Sequence, residues 1–349
     1  LISNLRKVEW KNFMIIDLHA HFIPPQILRE ANPAEKPVLS VAEAWRPRVY
    51  RDERGVQMLE YKGTANSSAL REFVNIEKIL EEQAHAGVDL VALSPWSSLF
   101  NYDQPLEESK RNCRAYSQAI ANCAREHPTR LAGMGCVPLQ DARLAADEAR
   151  YAIRDLGLRG IEIGTNVNGA YLGDEKFLPF WEAIAELDTL VFIHPVSGIG
   201  GAAMRDYDLG NLYGFPAETG LTAASLIFGG VLERFPSLKI LLAHGGGVTP
   251  YLIGRFDHGW EHRPAAKKSI ITRAPSTYFK QFYFDTIVFT ADTLRFLIQL
   301  VGAEHIVIGT DYPFDMGYER PRKLVESLGL PTEHAEKIFG TNAKRLLKM

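Results

Sequence analysis

The chain has 349 residues, enough for one large barrel with an insertion or for two average domains. Its 39 basic and 42 acidic side chains leave a formal charge of −3, which gives no electrostatic case for nucleic acid or an anionic membrane as partner. The apolar fraction of 46% is ordinary for a soluble globular protein, and no run approaches the roughly 18 apolar residues of a membrane span.

Segment 1–12 carries Arg6, Lys7, Glu9 and Lys11 without an apolar core, so it does not read as a secretory signal. Residues 14–19 form an apolar run that reads as strand one. The stretch 24–70 is too long for a simple loop; it reads as a small insertion over the mouth of the fold, with a hairpin within 48–61. A helix over 76–86, strand two over 90–94, a helix over 106–126 and strand three over 131–137 follow. The next helix, 142–156, has Asp141 to cap it and Gly157 past its last apolar residue. Strand four covers 160–164, a helix 177–187 and strand five 190–194. A second long loop, 197–216, leaves directly from His194 and is glycine-rich at first. Then come a helix over 217–228, strand six over 239–244, a helix over 250–262 and strand seven over 282–285. The last barrel helix, 292–301, lies between a capping Asp292 and Gly302, and strand eight covers 305–309. The tail, 332–349, reads as two short helices around Gly340 packing on the outside.

Eight short strands alternating with helices predict an α/β fold. Specifically, they predict a single (β/α)8 TIM-barrel domain over 1–349 with the insertion at about 23–70. Cys113, Cys123 and Cys136 have no metal-type spacing and fit core positions in a reducing cytoplasm.

The chemistry gathers where the strands end. Strand one runs into His19-Ala20-His21. In a continuing strand, residues i and i+2 share a face, so two imidazoles converge on one point, as a divalent metal requires. Strand five ends in His194, strand six in His244, and the run 306–310 leads into Asp311. Metal-competent groups at the C-terminal ends of several strands are what a barrel active site needs.

This ordering resembles the amidohydrolase superfamily. Asp17-Leu18-His19-Ala20-His21-Phe22, His194-Pro195, Pro216-Ala217-Glu218-Thr219, Glu233-Arg234-Phe235-Pro236, Ala243-His244-Gly245-Gly246-Gly247 and Gly309-Thr310-Asp311-Tyr312-Pro313-Phe314 resemble the branch containing aminocarboxymuconate semialdehyde decarboxylase. The resemblance implies one zinc held by His19, His21, His194 and Asp311, with a water completing the site and His244 hydrogen-bonded to that water. It also implies a homodimer in which Arg255 reaches a neighbouring subunit's site and binds the substrate carboxylate; on the residues alone, Arg255 is equally a solvated helix arginine. The same ligands accept manganese or cobalt. Strand four has Glu162 and no lysine, which supports a single metal; Glu162 either bridges a second ion or has a structural role. Val196-Ser197 stands where the branch has Trp-Asp, and the branch's second substrate-binding arginine has no clear counterpart among Arg46, Arg48, Arg51, Arg54 and Arg71.

Other residues read two ways. Trp96, Phe100 and Tyr102 either wall an aromatic pocket or pack under the insertion, and Asp17 either orients a ligand or simply starts a strand. Asp285 is a polar candidate at the mouth. Gly245-Gly246-Gly247 resembles a phosphate cradle but lacks P-loop spacing, and reads as a close backbone approach to the metal. The functional expectation is a cytoplasmic zinc-dependent decarboxylase of a small unsaturated or aromatic carboxylic acid. The alternatives are a hydrolase or hydratase of the same superfamily, acting on an amide, lactone, C–C bond or alkene, and a barrel that binds without catalysis.

Overall fold

The computed structural model describes residues 13–30, 47–61, 64–66, 73–196 and 199–349. Among these, eight strands form one parallel sheet: β1 (Ile16–Phe22), β2 (Leu90–Pro95), β3 (Leu131–Gly135), β4 (Gly160–Gly164), β5 (Leu190–His194), β6 (Lys239–Leu242), β7 (Tyr283–Asp285) and β8 (Ile306–Val307). They are ordered as in the sequence, and parallel bridges Asp17↔Ile308 and Ala20↔Tyr312 join the last strand to the first. The sheet is thus a closed barrel, as the alternation of elements predicts. The crossover helices are α1 (Ile76–His85), α2 (Leu106–Glu126), α3 (Ala142–Arg150), α4 (Leu178–Leu187), α5 (Phe215–Phe228), α6 (Thr249–His262) and α7 (Ala291–Val301).

One irregularity in β1 decides where its histidines point. Asp17 pairs with Val91 and Ala20 with Leu93, so β1 spends one extra residue between them. Such a bulge reverses the inward–outward alternation. Ile16 and Leu18 pack in the barrel lumen with Leu90, Phe192 and Leu241, whereas Ala20 and Phe22 join the outer core between sheet and helices. His19 and His21 therefore face the axis despite their odd numbers. An unbroken strand would have sent them into the outer wall.

The C-terminal tail differs from the expectation of two helices on the outside. Its turns Thr332–Glu336, Lys337–Thr341 and Asn342–Leu347 run on without a break, and Gly340 lies in the middle one. Leu346 and Leu347 pack against the lumen cluster and close the barrel floor. The physical reason is that an apolar lumen left open at its base would be hydrated. Gly340 allows the approach, since a Cβ there would sit 2.4 Å from the Met14 carbonyl oxygen.

Other boundaries shift. Strand six stops at Leu242, and His244 opens a short turn, His244–Gly246. Thr290, not Asp292, caps α7, its hydroxyl accepting the Thr293 amide. Helix α3 caps on Asp141 as expected but passes into a wider turn at Tyr151–Asp155. The described part of loop 197–216 holds short helical turns at Gly201–Met204 and Gly210–Gly214. In the insertion, Arg48–Arg51 and Gln57–Tyr61 form the expected hairpin, flanked by Arg29–Glu30 and Thr64–Asn66. Arg46, Arg71 and Ser197 lie outside the described residues. The three cysteines are unpaired, and among the described residues no helix is long and apolar enough to cross a membrane.

Candidate metal centre

The C-terminal rim of the barrel brings the candidate residues together from four strand ends. One candidate ligating atom each from His19, His194, His244 and Asp311 lie within 4.8 Å of one another. His21 joins them, its Nε2 3.3 Å from Asp311 Oδ1 and its ring 4.8 Å from that of His194. Arg255 does not join. It lies exposed on α6 and does not line the cavity of its own chain.

Hydrogen bonds on the far side of each ring fix its tautomer. His19 Nδ1 donates to Asp285 Oδ2 at 2.7 Å, His21 Nδ1 to the Pro95 carbonyl at 2.9 Å, and His194 Nδ1 to the Pro195 carbonyl at 2.7 Å. Carboxylates and carbonyls only accept, so each Nδ1 carries a proton, and the neutral form of each ring presents its Nε2 lone pair. Those three Nε2 atoms and Asp311 Oδ1 are buried without a hydrogen-bond partner. His19 Nε2 is nonetheless only 3.1 Å from Asp311 Oδ1. Lone pairs facing one another in a buried space repel unless a cation lies between them. The donor set, three imidazoles and one carboxylate, fits a divalent first-row metal.

The electrostatics point the same way. Burial works against a charge on His19, but Asp311 and Asp285 outweigh it and hold the His19 pKa well above its ordinary value. The pocket thus draws positive charge, which a metal ion supplies in place of a proton. Burial, with His21 and His19 beside it, pushes His194 well below the ordinary range, so it stays neutral and able to ligate.

His244 has the opposite arrangement. Its Nε2 meets Asp311 Oδ2 at 3.3 Å, so the proton sits on the nitrogen that faces the cluster. Its side chain is 16% exposed to the cavity, while those of His19 and His21 are fully buried. Both His244 and Asp311 have φ near +55°, a costly conformation for residues with a Cβ.

Above the cluster lies a cavity of about 560 Å³, in the usual range for small-molecule sites. Trp96, Phe215, Phe289 and Phe314 wall it, with His194, His244 and Asp311 at its floor. Trp96 is therefore a wall residue, whereas Phe100 and Tyr102 are buried and stacked on each other and do not line the cavity. The Asp17 carboxylate accepts from the His19 amide and from Thr310. Glu162 lies fully buried beside the cluster, 3.9 Å from His21 Nδ1, and burial raises its pKa well above the carboxylate range. Arg48 pairs with Glu60, and Arg54 with Asp52, within the insertion. Sequence reasoning undervalued Asp285 and Thr310. The available signal was that strand seven, like strand eight, leads into an aspartate.

The amidohydrolase family model matches residues 16–349. The 2-amino-3-carboxymuconate-6-semialdehyde decarboxylase of Dictyostelium discoideum is 38% identical over 269 residues, covering 77% of this chain and 75% of that protein. A gamma-resorcylate decarboxylase of Polaromonas sp. is 30% identical over 266 residues, covering 70% and 80%. Among solved structures, 5-carboxyvanillate decarboxylase from Novosphingobium aromaticivorans, complexed with manganese and 4-hydroxy-3-methoxy-5-nitrobenzoic acid, matches with a TM-score of 0.80 at 21% identity over 97% of both chains. Barrel, rim and relatives agree: the chain is an enzyme of the amidohydrolase family, in the branch of carbon–carbon lyases related to aminocarboxymuconate semialdehyde decarboxylase.

Proposed function

We propose that this protein is a metal-dependent, non-oxidative decarboxylase of a small aromatic or unsaturated carboxylic acid. The observation that carries the reading is that the Nε2 atoms of His19, His21 and His194 and the Oδ1 of Asp311 are buried together without hydrogen-bond partners. These four residues hold the ion, with zinc the first choice and manganese or cobalt also compatible. When bound, the ion supplies a positive charge that orients and polarises the acid.

The chain's own residues do the rest. Trp96 and Phe314 flank the cavity and take the flat body of the substrate. In decarboxylation the bond from the carboxyl carbon to the substrate breaks, its electron pair stays on the substrate carbon, and that carbon gains a proton. His244 is the proton carrier, because its protonated Nε2 lies at the cavity floor, 3.3 Å from Asp311 Oδ2. Asp311 holds that imidazole through Oδ2, which leaves Oδ1, buried without a hydrogen-bond partner, as the oxygen that would hold the ion.

The active unit is a homodimer in the cytoplasm. Arg255 belongs to the partner's site, which its exposure on α6 and its absence from the lining of its own chain's cavity support. Exposed Tyr207, Tyr213 and Tyr251 supply apolar surface for that interface.

The test is to incubate the metal-loaded protein with hydroxybenzoates, aminobenzoates and muconate-type acids and to measure carbon dioxide release. Metal-dependent gas evolution with the decarboxylated product supports the reading. Turnover of an amide, lactone or alkene without gas overturns it in favour of hydrolysis or hydration.

A further inference from the structure

Asp285 makes more connections at the rim than any role assigned so far requires. It ends β7, is fully buried, and both its oxygens are used twice. Oδ2 accepts His19 Nδ1 at 2.7 Å and the His244 amide at 2.9 Å. Oδ1 accepts the Gly245 amide at 2.8 Å and the Ile287 amide at 3.1 Å.

Two of those donors belong to an unusual turn. His244, Gly245, Gly246 and Gly247 all have φ between +55° and +80°. Successive amides in such a turn form a concave nest that attracts an anion. Here the Asp285 carboxylate fills it from within the protein, so the glycine run cradles a side chain and not a phosphate. The glycines are needed for space as well: a Cβ at Gly247 would sit 2.1 Å from the Pro216 carbonyl oxygen. Gly309, two residues past β8, serves the same contact, since a Cβ there would lie 2.9 Å from Asp285 Cβ and 3.0 Å from His19 Cβ.

We infer that Asp285 is the positioning residue that ties the metal ligand His19 to the proton carrier His244. It holds His19 through Nδ1, leaving Nε2 on the Asp311 side where it would bind the ion, and it holds the left-handed turn that carries the His244 imidazole to the cavity. The inference rests on the metal reading above.

Asparagine discriminates this role from simple packing. It keeps the volume but replaces one acceptor oxygen by a donor. With its nitrogen at the Oδ2 position it faces the His19 and His244 donors; flipped, it faces Gly245 and Ile287. Either orientation sets donor against donor.

The experiment titrates the metal-free protein with cobalt and reads the visible absorption of the bound ion, for wild type and Asp285→Asn, with circular dichroism as the check on folding. Cobalt affinity 10- to 100-fold weaker with an altered spectrum, in a folded variant, is the expected result. A folded variant that binds cobalt within threefold of wild type, with the same spectrum, overturns the inference while leaving the metal reading intact. Wild type that takes up no cobalt overturns the metal reading and the inference with it. Should Asp285→Asn not fold, nitrogen-15 spectra of the histidine rings in cobalt-free wild type decide: a proton on His19 Nδ1 supports the role, and a proton on Nε2 alone overturns it.

Discussion

The Asp17 carboxylate takes both donors of Thr310, the backbone amide at 3.1 Å and the hydroxyl at 2.5 Å. The same carboxylate accepts the His19 amide at 2.9 Å, and Asp311 donates its own amide to the His19 carbonyl at 2.7 Å. The segment that follows β8 is thereby fastened to the bulge of β1, which sets Asp311 opposite His19. Thr310→Val keeps the shape and removes the hydroxyl. It should weaken metal binding about 10-fold, in the range for partners that orient ligands, while Thr310→Ser stays near wild type. Metal content after dialysis against a graded chelator reads this directly.

His194 and His244 are expected to separate binding from turnover. His194→Ala removes a buried Nε2 that has no hydrogen-bond partner and is proposed as a ligand, and should leave purified protein without stoichiometric metal. His244→Ala should retain the metal and lose about 10²- to 10⁴-fold in kcat, the usual size for a positioned acid or base. Near-normal turnover in His244→Ala would remove it from the mechanism.

Stripping the metal should abolish activity and lower stability together. An ion bound only by the folded state stabilises it by about 2.7 kcal/mol at 100 times its Kd. Urea unfolding with and without chelator measures the difference, and readdition of zinc, manganese or cobalt ranks the ions by recovered activity. Equal unfolding midpoints in both conditions would contradict a bound ion at this site.

The shared site can be tested by mixing. Arg255→Ala and His194→Ala are each expected to be inactive. When the two are unfolded together and refolded as mixed dimers, about a quarter of wild-type activity should return, because half the dimers are mixed and each has one intact site. No recovery, with mixed dimers demonstrated by mass, would place Arg255 on the solvated face of α6.

The barrel floor has its own prediction. Leu346 is 1% exposed against the lumen cluster. Leu346→Ala should cost about 2–5 kcal/mol by denaturant unfolding. Metal stoichiometry should not change, because Leu346 closes the end of the barrel opposite the rim.

The sequence by itself determined the order of eight strands and their helices, and with it the barrel. It also determined that four of those strands lead into His19, His194, His244 and Asp311. These are local properties: periodicity, caps such as Asp141, and side chains adjacent in the chain to apolar runs. Tertiary structure decided which way those side chains face. The His19-Ala20-His21 spacing says that two imidazoles share a face, but only the bulge between Asp17 and Ala20 turns that face to the axis, and a bulge is defined by pairing with β2, whose Val91 lies 74 residues from Asp17. The separation of His244 from the other three histidines likewise lies in which atom each ring nitrogen meets, and those partners, Asp285, Pro95 and Asp311, come from different strands. The tail reads as a surface appendage because its own pattern is merely amphipathic, and the open end of the lumen that it fills exists only after the sheet has closed.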